Sequence, residues 1–337
     1  MNNFVPDKRY TMKRILFVYL FLGGLLLHEA GNACTSVIVS GKATPDGRPL
    51  MWKHRDTGTR YNHITFEKGE KYNFLGLANS DSTDYDIWTG VNEAGFAIMN
   101  TASFNLKDDD VQEMDHEGRL MRRALEICKN QQDFEHFLDT LSRPMRVEAN
   151  FGIIDAYGGA AYYETNNTSY YKKDVNDPNL APDGYLVYTN FSFEGRKDEG
   201  YGYIRYESAK KIFADIYPQG LTPRSIFQEV SHSFYHSLFR KDMKEEKNTE
   251  WQLEQDLIPR FESTASIVIQ GVKLGEKQPE LVLYSPQFKT APLCYFATLL
   301  KTQAYPIHRG NGQKYIALEC PRNRLHANFN ASMERNL

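Results

Sequence analysis

The sequence predicts a layered α+β fold: a single domain, residues 34–337, that follows an N-terminal targeting segment. Strand-like runs rich in Val, Ile, Tyr and Phe, bounded by Gly, Pro, Asn and Asp, open this domain, recur in its middle and return near its end. Amphipathic helical patterns stand between them in two groups, an order that suits helices covering sheets. No internal repeat or low-complexity linker divides the chain after residue 33. The aromatic content is 13%, with 21 Tyr and 20 Phe, which suits a β-rich core and argues against disorder.

The elements follow in order. Lys13 and Arg14 form a basic start, with Met12 as an alternative first residue. "ILFVYLFLGGLLL" (Ile15–Leu27) is an apolar stretch. A membrane span needs roughly 20 apolar residues, and this stretch falls short of that. Gly31 and Ala33 stand at −3 and −1 to Cys34, which predicts a signal peptide over residues 1–33, cleaved after Ala33, and an exported protein, periplasmic or extracellular. An uncleaved anchor is the rival reading. Strand-like runs then cover Cys34–Ser40 and Leu50–Asp56, joined through Pro45-Asp46-Gly47, a turn signal. They read as a hairpin that returns Lys53–Asp56 along the strand beginning at Cys34. Further runs are Ile64–Glu67, Gly95–Asn100, Asn150–Ala156, Ala160–Glu164, Tyr185–Phe191, Ala265–Gly271 and Glu280–Tyr284.

Helical spacing places Leu120, Met121, Ala124, Leu125 and Cys128 on one face. Phe134, Phe137, Leu138 and Leu141 form a second face, and Ala209, Ile212, Phe213 and Ile216 a third. "TPRSIFQEVSHSFYHSLF" opens with Thr222 as N-cap and Pro223 at the first helical position, which predicts a helix reaching past His236. "FRKDMKEEKNTE" reads as a charged, solvated connection.

Composition narrows the function classes. Hydrophobic residues make up 41% and charged residues 25%, as in soluble globular proteins, and a net charge of −3 gives no electrostatic reason to expect a nucleic-acid partner. No later stretch is long and apolar enough for a membrane span. Of the four cysteines, Cys128 lies on a helical apolar face and reads as a small core residue. Cys294 and Cys320 are a candidate pair, but with Cys34 set aside an odd number remains, so this is no disulfide framework. No CxxC or EF-hand spacing appears. His232 and His236 stand four apart without a third ligand nearby, so no metal and no cofactor is expected.

Cys34 carries the chemistry. A cysteine at the first position of a mature chain offers a nucleophilic thiolate together with its own α-amine, whose pKa is about 8 when unperturbed and which can act as general base. Cleavage after Ala33 would unmask both. The competing reading is a lipid-modified cysteine; the Gly31-Asn32-Ala33 tripeptide fits that poorly, since such signals carry a larger apolar residue at −3.

"CTSVIVSGKATPDGRPLMWKHRD" resembles the start of the N-terminal-nucleophile (Ntn) hydrolases of the choloylglycine hydrolase, penicillin V acylase, isopenicillin N acyltransferase and acid ceramidase group. "TGVNEAGFAIMN" (Thr89–Asn100), "VYTNFSF" (Val187–Phe193) and "GYIRYESAKKIF" (Gly202–Phe213) continue the resemblance in family order. It implies a four-layer αββα sandwich and cleavage of a linear, non-peptide amide C–N bond in a small acyl-amide or acyl-amino-acid substrate, or acyl transfer by the same chemistry. It also implies roles. Cys34 is the nucleophile, and Asp56 orients the amine and thiol. Asn190 donates to the oxyanion or positions the amine, and Arg205 organises the site electrostatically. Asn100 is a second oxyanion donor. Lys53 stands where bile-salt and ceramide hydrolases carry Arg, and His54 where they carry Asn, so the chain reads "WKHRD" in place of their G-R-N-x-D. Lysine is a point charge without the planar fork of arginine. Tyr61, Trp88, Phe104 and Phe193 flank the motifs as candidates for an apolar acyl pocket, core packing being the alternative. Nothing in the sequence sets the oligomeric state, and a homo-oligomer is compatible with it. An exported lipoprotein that binds a small ligand without turnover is the reading from a different class.

Overall fold

The computed structural model describes residues 33–59, 61–80, 86–245 and 254–276 in full, and three further strands at 281–286, 295–300 and 316–318 by their backbone. Strand β1 (Ala33–Val39) is followed by a 3-10 turn at Gly41–Ala43 and by β2 (Leu50–Asp56). The chain then builds β3 (Asn62–Glu67), β4 (Phe74–Asn79), β5 (Thr89–Asn92) and β6 (Ala97–Ala102). Helices α1 (Glu117–Ile127) and α2 (Gln131–Thr140) intervene before β7 (Ala149–Ile154), β8 (Ala160–Thr165), β9 (Tyr170–Asp174) and β10 (Tyr185–Tyr188). Next come α3 (Tyr203–Ile216) and the single turn α4 (Pro223–Ser225), continued as a π-helix over Ile226–Val230. The two-residue strands β11 (Tyr235–His236) and β12 (Lys241–Asp242) pair with each other. Strands β13 (Ser263–Gln270), β14 (Leu281–Pro286), β15 (Tyr295–Leu300) and β16 (Ile316–Leu318) follow.

Two seven-stranded sheets result, ordered β10-β1-β2-β13-β14-β15-β16 and β3-β4-β5-β6-β7-β8-β9. All pairings within them are antiparallel. Alternation along each strand feeds three apolar layers. Ile38, Met51, Ile267 and Ile269 of the first sheet meet Leu75, Leu77, Val91, Met99, Ile154 and Tyr162 of the second, forming the layer between the sheets. The outer face of the second sheet (Phe74, Ile98, Phe151, Ile153, Tyr163) packs on Leu120, Met121, Leu125, Phe134 and Leu138 of α1 and α2. The outer face of the first (Val37, Val39, Trp52, Val268) packs on Ala209, Ile212 and Phe213 of α3 and on Ile226, Phe227 and Val230. Helix, sheet, sheet, helix: the architecture is the four-layer αββα sandwich. Burying each large apolar side chain contributes about 1.5–3 kcal/mol, so these layers carry the stability.

The three long helices sit where the periodicity places them. The β1–β2 hairpin has the expected register. The expected long helix after Thr222 is corrected. Thr222 and Ser225 do form a capping box with Pro223 in the first turn, but the helix ends at Val230, and His236 lies on β11. The Ser231 hydroxyl donates to Phe227 O at 2.8 Å and the His232 ring approaches the same carbonyl at 2.7 Å, occupying the acceptor a continuing α-helix would use. His232 and His236 therefore do not share a helix face. Cys128 is buried in the layer under α1, where burial pushes its thiol up to about 12, as befits an inert core residue. Cys294 and Cys320 lie outside the described residues.

Candidate active site

Cys34 is the second residue of β1. Pairing sets it opposite Arg55, Ser36 opposite Lys53, and Ala33 opposite Asp56. Opposed residues share a face of the sheet. Cys34, Ser36, Lys53 and Arg55 therefore face the other sheet, while His54 and Asp56 face α3. The Cys34 residue is only 7% exposed.

Both backbone polar groups of Cys34 are held by side chains remote in sequence. Its N–H donates to Asn190 Oδ1 at 2.9 Å, and its carbonyl accepts from Arg205 Nη1 at 2.7 Å. Arg205 also donates through Nη1 to Thr35 Oγ1 at 3.1 Å and through Nη2 to Asn190 Oδ1 at 2.8 Å. A guanidinium and a peptide N–H can only donate, so the Asn190 amide must present its oxygen to both. Its Nδ2 then donates to Ala102 O at 2.9 Å, at the end of β6. In this arrangement Asn190 holds the nitrogen of Cys34, and its NH2 group donates to a carbonyl of the second sheet.

Local sequence explains how Arg205 reaches this point. Thr189-Asn190 follows β10, and Asn190 pairs with Tyr201 in an isolated bridge that returns the chain at once to α3. Gly202 precedes the helix at φ 85, and a Cβ there would lie 2.6 Å from Arg205 Nη2. Glycine meets both demands, a left-handed backbone and space for the guanidinium. Arg205 is fully buried, and burial lowers its pKa to about 10, so it is charged at neutral pH. Although it stands in the first turn of a helix, Arg205 is therefore not a surface charge.

On the other side of Cys34, the Lys53 ammonium donates to Trp88 O at 2.8 Å and to Asn100 Oδ1 at 2.6 Å, crossing from the first sheet to the second. Burial pulls its pKa down to about 8, an effect partly opposed by the nearby Cys34. An ammonium has no acceptor, so Asn100 turns its oxygen to Lys53 and its NH2 group away. Among the described residues that NH2 makes no hydrogen bond, which leaves Asn100 Nδ2 as an available donor.

Asp56 departs from expectation. Its side chain lies on the opposite face of β2 from Cys34 and makes no hydrogen bond to it. Oδ2 accepts from Arg260 Nε at 3.1 Å and Nη2 at 2.6 Å, and Oδ1 accepts from Ser263 Oγ at 2.6 Å. Ser263, opposite Asp56 in the β2–β13 register, spends its one proton on Asp56. It therefore accepts from His54 Nε2 at 2.9 Å, and also from the Arg260 backbone N–H at 2.9 Å. Burial drives the His54 pKa to about 4, so this ring is neutral at pH 7. Arg260 and Ser263 escaped the sequence reading. Ser263 stands at the start of β13, and only its register with β2 would have signalled it.

Of the six residues singled out from the sequence, Cys34, Asn190 and Arg205 form one bonded cluster. Lys53 and Asn100 form a second, joined to the first through neighbouring positions on β1, β2 and β6. Asp56 belongs to a third cluster behind the strand. Tyr61, Phe104 and Phe193 are exposed and Trp88 is half-buried between two apolar layers. Among the described residues, no group of three His, Cys, Asp or Glu side chains could hold a metal, and no helix is long and apolar enough to cross a membrane.

No family model and no curated protein matches the sequence. Solved structures do. A variant of the conjugated bile acid hydrolase from Clostridium perfringens aligns over 85% of this chain and 97% of its own, with 12% identity and a TM-score of 0.48. The Caenorhabditis elegans ortholog of N-acylethanolamine-hydrolyzing acid amidase aligns over 70% and 92%, with 13% identity and a TM-score of 0.44. Penicillin V acylase from Agrobacterium tumefaciens aligns over 78% and 86%, with 12% identity and a TM-score of 0.43.

Proposed function

We propose that this chain is an exported Ntn hydrolase of the choloylglycine hydrolase and penicillin V acylase group, which cleaves a linear amide C–N bond through a thioester on Cys34. Residues 34–337 form its catalytic domain, released by cleavage after Ala33. The carrying observation is that the nitrogen and the carbonyl of Cys34 are each gripped by a buried side chain, Asn190 and Arg205. A strand residue with an ordinary structural role finds its backbone partners in its neighbouring strands. Here two remote polar side chains fix the position where cleavage would place an α-amine.

The chemistry follows. The thiol proton passes to the α-amine, and the thiolate attacks the substrate carbonyl carbon. Negative charge gathers on the carbonyl oxygen, for which Asn100 Nδ2 is the proposed donor. The ammonium returns its proton to the leaving nitrogen, the C–N bond breaks, and a thioester remains on Cys34. Water, deprotonated by the same amine, releases the acid. Lys53 and Arg205 both lie within electrostatic reach of Cys34. Asn190 positions the amine.

The test is direct observation of the thioester. Mature protein mixed with a panel of acyl amides (bile-salt conjugates, penicillin V, N-acyl amino acids) and quenched in acid should carry one acyl group on the Cys34 peptide by mass spectrometry. Cys34→Ala should carry none. An acyl group on any other residue, or turnover by Cys34→Ala, contradicts the proposal.

A further inference from the structure

Behind the nucleophile strand lies a buried cluster that the reaction above does not use. Asp56 closes β2 opposite Ala33, the residue preceding Cys34. Its carboxylate is met by His54 on its own strand, by Arg260 and Ser263 from the segment entering β13, and by Arg205 from α3. His232 lies near His54, and Asp256 lies near Arg205. Three hydrogen bonds, two of them from one guanidinium, pin the carboxylate in a pocket where the Arg260 side chain is only 7% exposed. The Ser263 hydroxyl is itself saturated, donating once and accepting twice. Such a fully bonded buried acid has a single orientation. Arg205 lies within electrostatic reach of both this carboxylate and Cys34 and hydrogen-bonds the Cys34 carbonyl, so the cluster and the nucleophile share one buried guanidinium.

We propose that Arg260 is a positioning residue for this reaction: with Ser263 it fixes Asp56 behind the Cys34 nitrogen, and so sets the protonation of the α-amine that serves as base. This rests on the Ntn reading above. The Asp56 charge favours the ammonium form of the amine. Arg260 moderates it by neutralising that charge and by holding the carboxylate back on the β13 side. Removing Arg260 exposes the amine to an unbalanced, movable carboxylate. Removing Asp56 takes the negative charge away.

The amine can be read without turnover. Protein beginning at Cys34 is labelled with 15N-cysteine, and the single amine resonance is titrated by NMR in wild type, Arg260→Gln, Asp56→Asn and the double variant. The expected result is opposite shifts of the amine pKa, upward by roughly half a unit or more in Arg260→Gln and downward in Asp56→Asn. The double variant should match Asp56→Asn, because Arg260 acts through the carboxylate. Arg260→Lys, which keeps the charge and is the gentler change, should lie between wild type and Arg260→Gln. An unchanged amine pKa in both Arg260 variants overturns the proposal, and so does an equal Arg260→Gln shift with and without Asp56. The failure of the parent reading looks different: the amine then titrates as described here while its blockage leaves activity intact.

Discussion

Arg205→Ala should leave a folded protein whose kcat/KM has fallen by about 100-fold or more. The guanidinium holds the carbonyl of Cys34 and the oxygen of Asn190, so its loss frees Cys34 and the side chain that holds its nitrogen together, and misplacement on the scale of 1 Å is enough for a loss of that size. Stability should fall too. The buried Cys34 carbonyl loses its side-chain donor, at a cost of about 1–3 kcal/mol. Arg205→Lys should recover little, because one ammonium cannot span the same acceptors in a fixed fork. Steady-state kinetics on any accepted acyl amide, beside urea melts, separates the two effects. Wild-type kcat/KM in a destabilised Arg205→Ala would mean that the arginine serves folding alone.

The second large effect is one of pH. Burial holds the Lys53 pKa at about 8 against an ordinary 10.5. If its ammonium supports the thiolate and orients Asn100, kcat/KM falls as pH rises through about 8, beyond the acid limb set by the amine. In Lys53→Arg the charge persists, so that alkaline fall should move up by more than a unit even if the rate at pH 7 is lower. Lys53→Met should lose about 10²–10³ in kcat/KM at pH 7, since Asn100 is then free to flip. The linked stability runs the other way. Between pH 8 and 10.5 the unfolded chain keeps a proton that the folded chain has released, so the Lys53 contribution to stability rises with pH across that window. An alkaline limb unchanged in Lys53→Arg would assign it to another group.

Much of this site is written locally. The hairpin from Cys34 to Asp56 follows from alternation and from one Pro-Asp-Gly turn, and it already places Lys53 beside Ser36. The helix led by Arg205 follows from its apolar spacing. What escaped depends on pairings between distant segments. Strands β4 and β5 are short and interrupted by Gly76 and Gly90, and β9 is a polar edge strand, so none shows a clear run of its own. Arg260 and Ser263 reach Asp56 only because β13 inserts beside β2, a contact across more than two hundred residues. The direction in which Asp56 points was legible in principle, since period-two alternation sets it on the face opposite Cys34. Motif resemblance drew it toward the thiol instead. Similarly, the orientation of the Asn190 and Asn100 amides is set by cations that donate to them, Arg205 and Lys53, and no local pattern encodes that.

The base we propose is the amine of Cys34 itself, held by Asn190. Protein beginning at Cys34 should be compared with protein carrying one additional, retained Ala before it, each mass verified. The added residue occupies the place of Ala33, which β1 accommodates opposite Asp56, so the fold is expected to persist. The thiol remains, but the amine has become an amide that cannot accept a proton. Activity at the level of Cys34→Ala is expected for the extended protein and full activity for the other. Equal hydrolysis by both would contradict it and require a different base for Cys34.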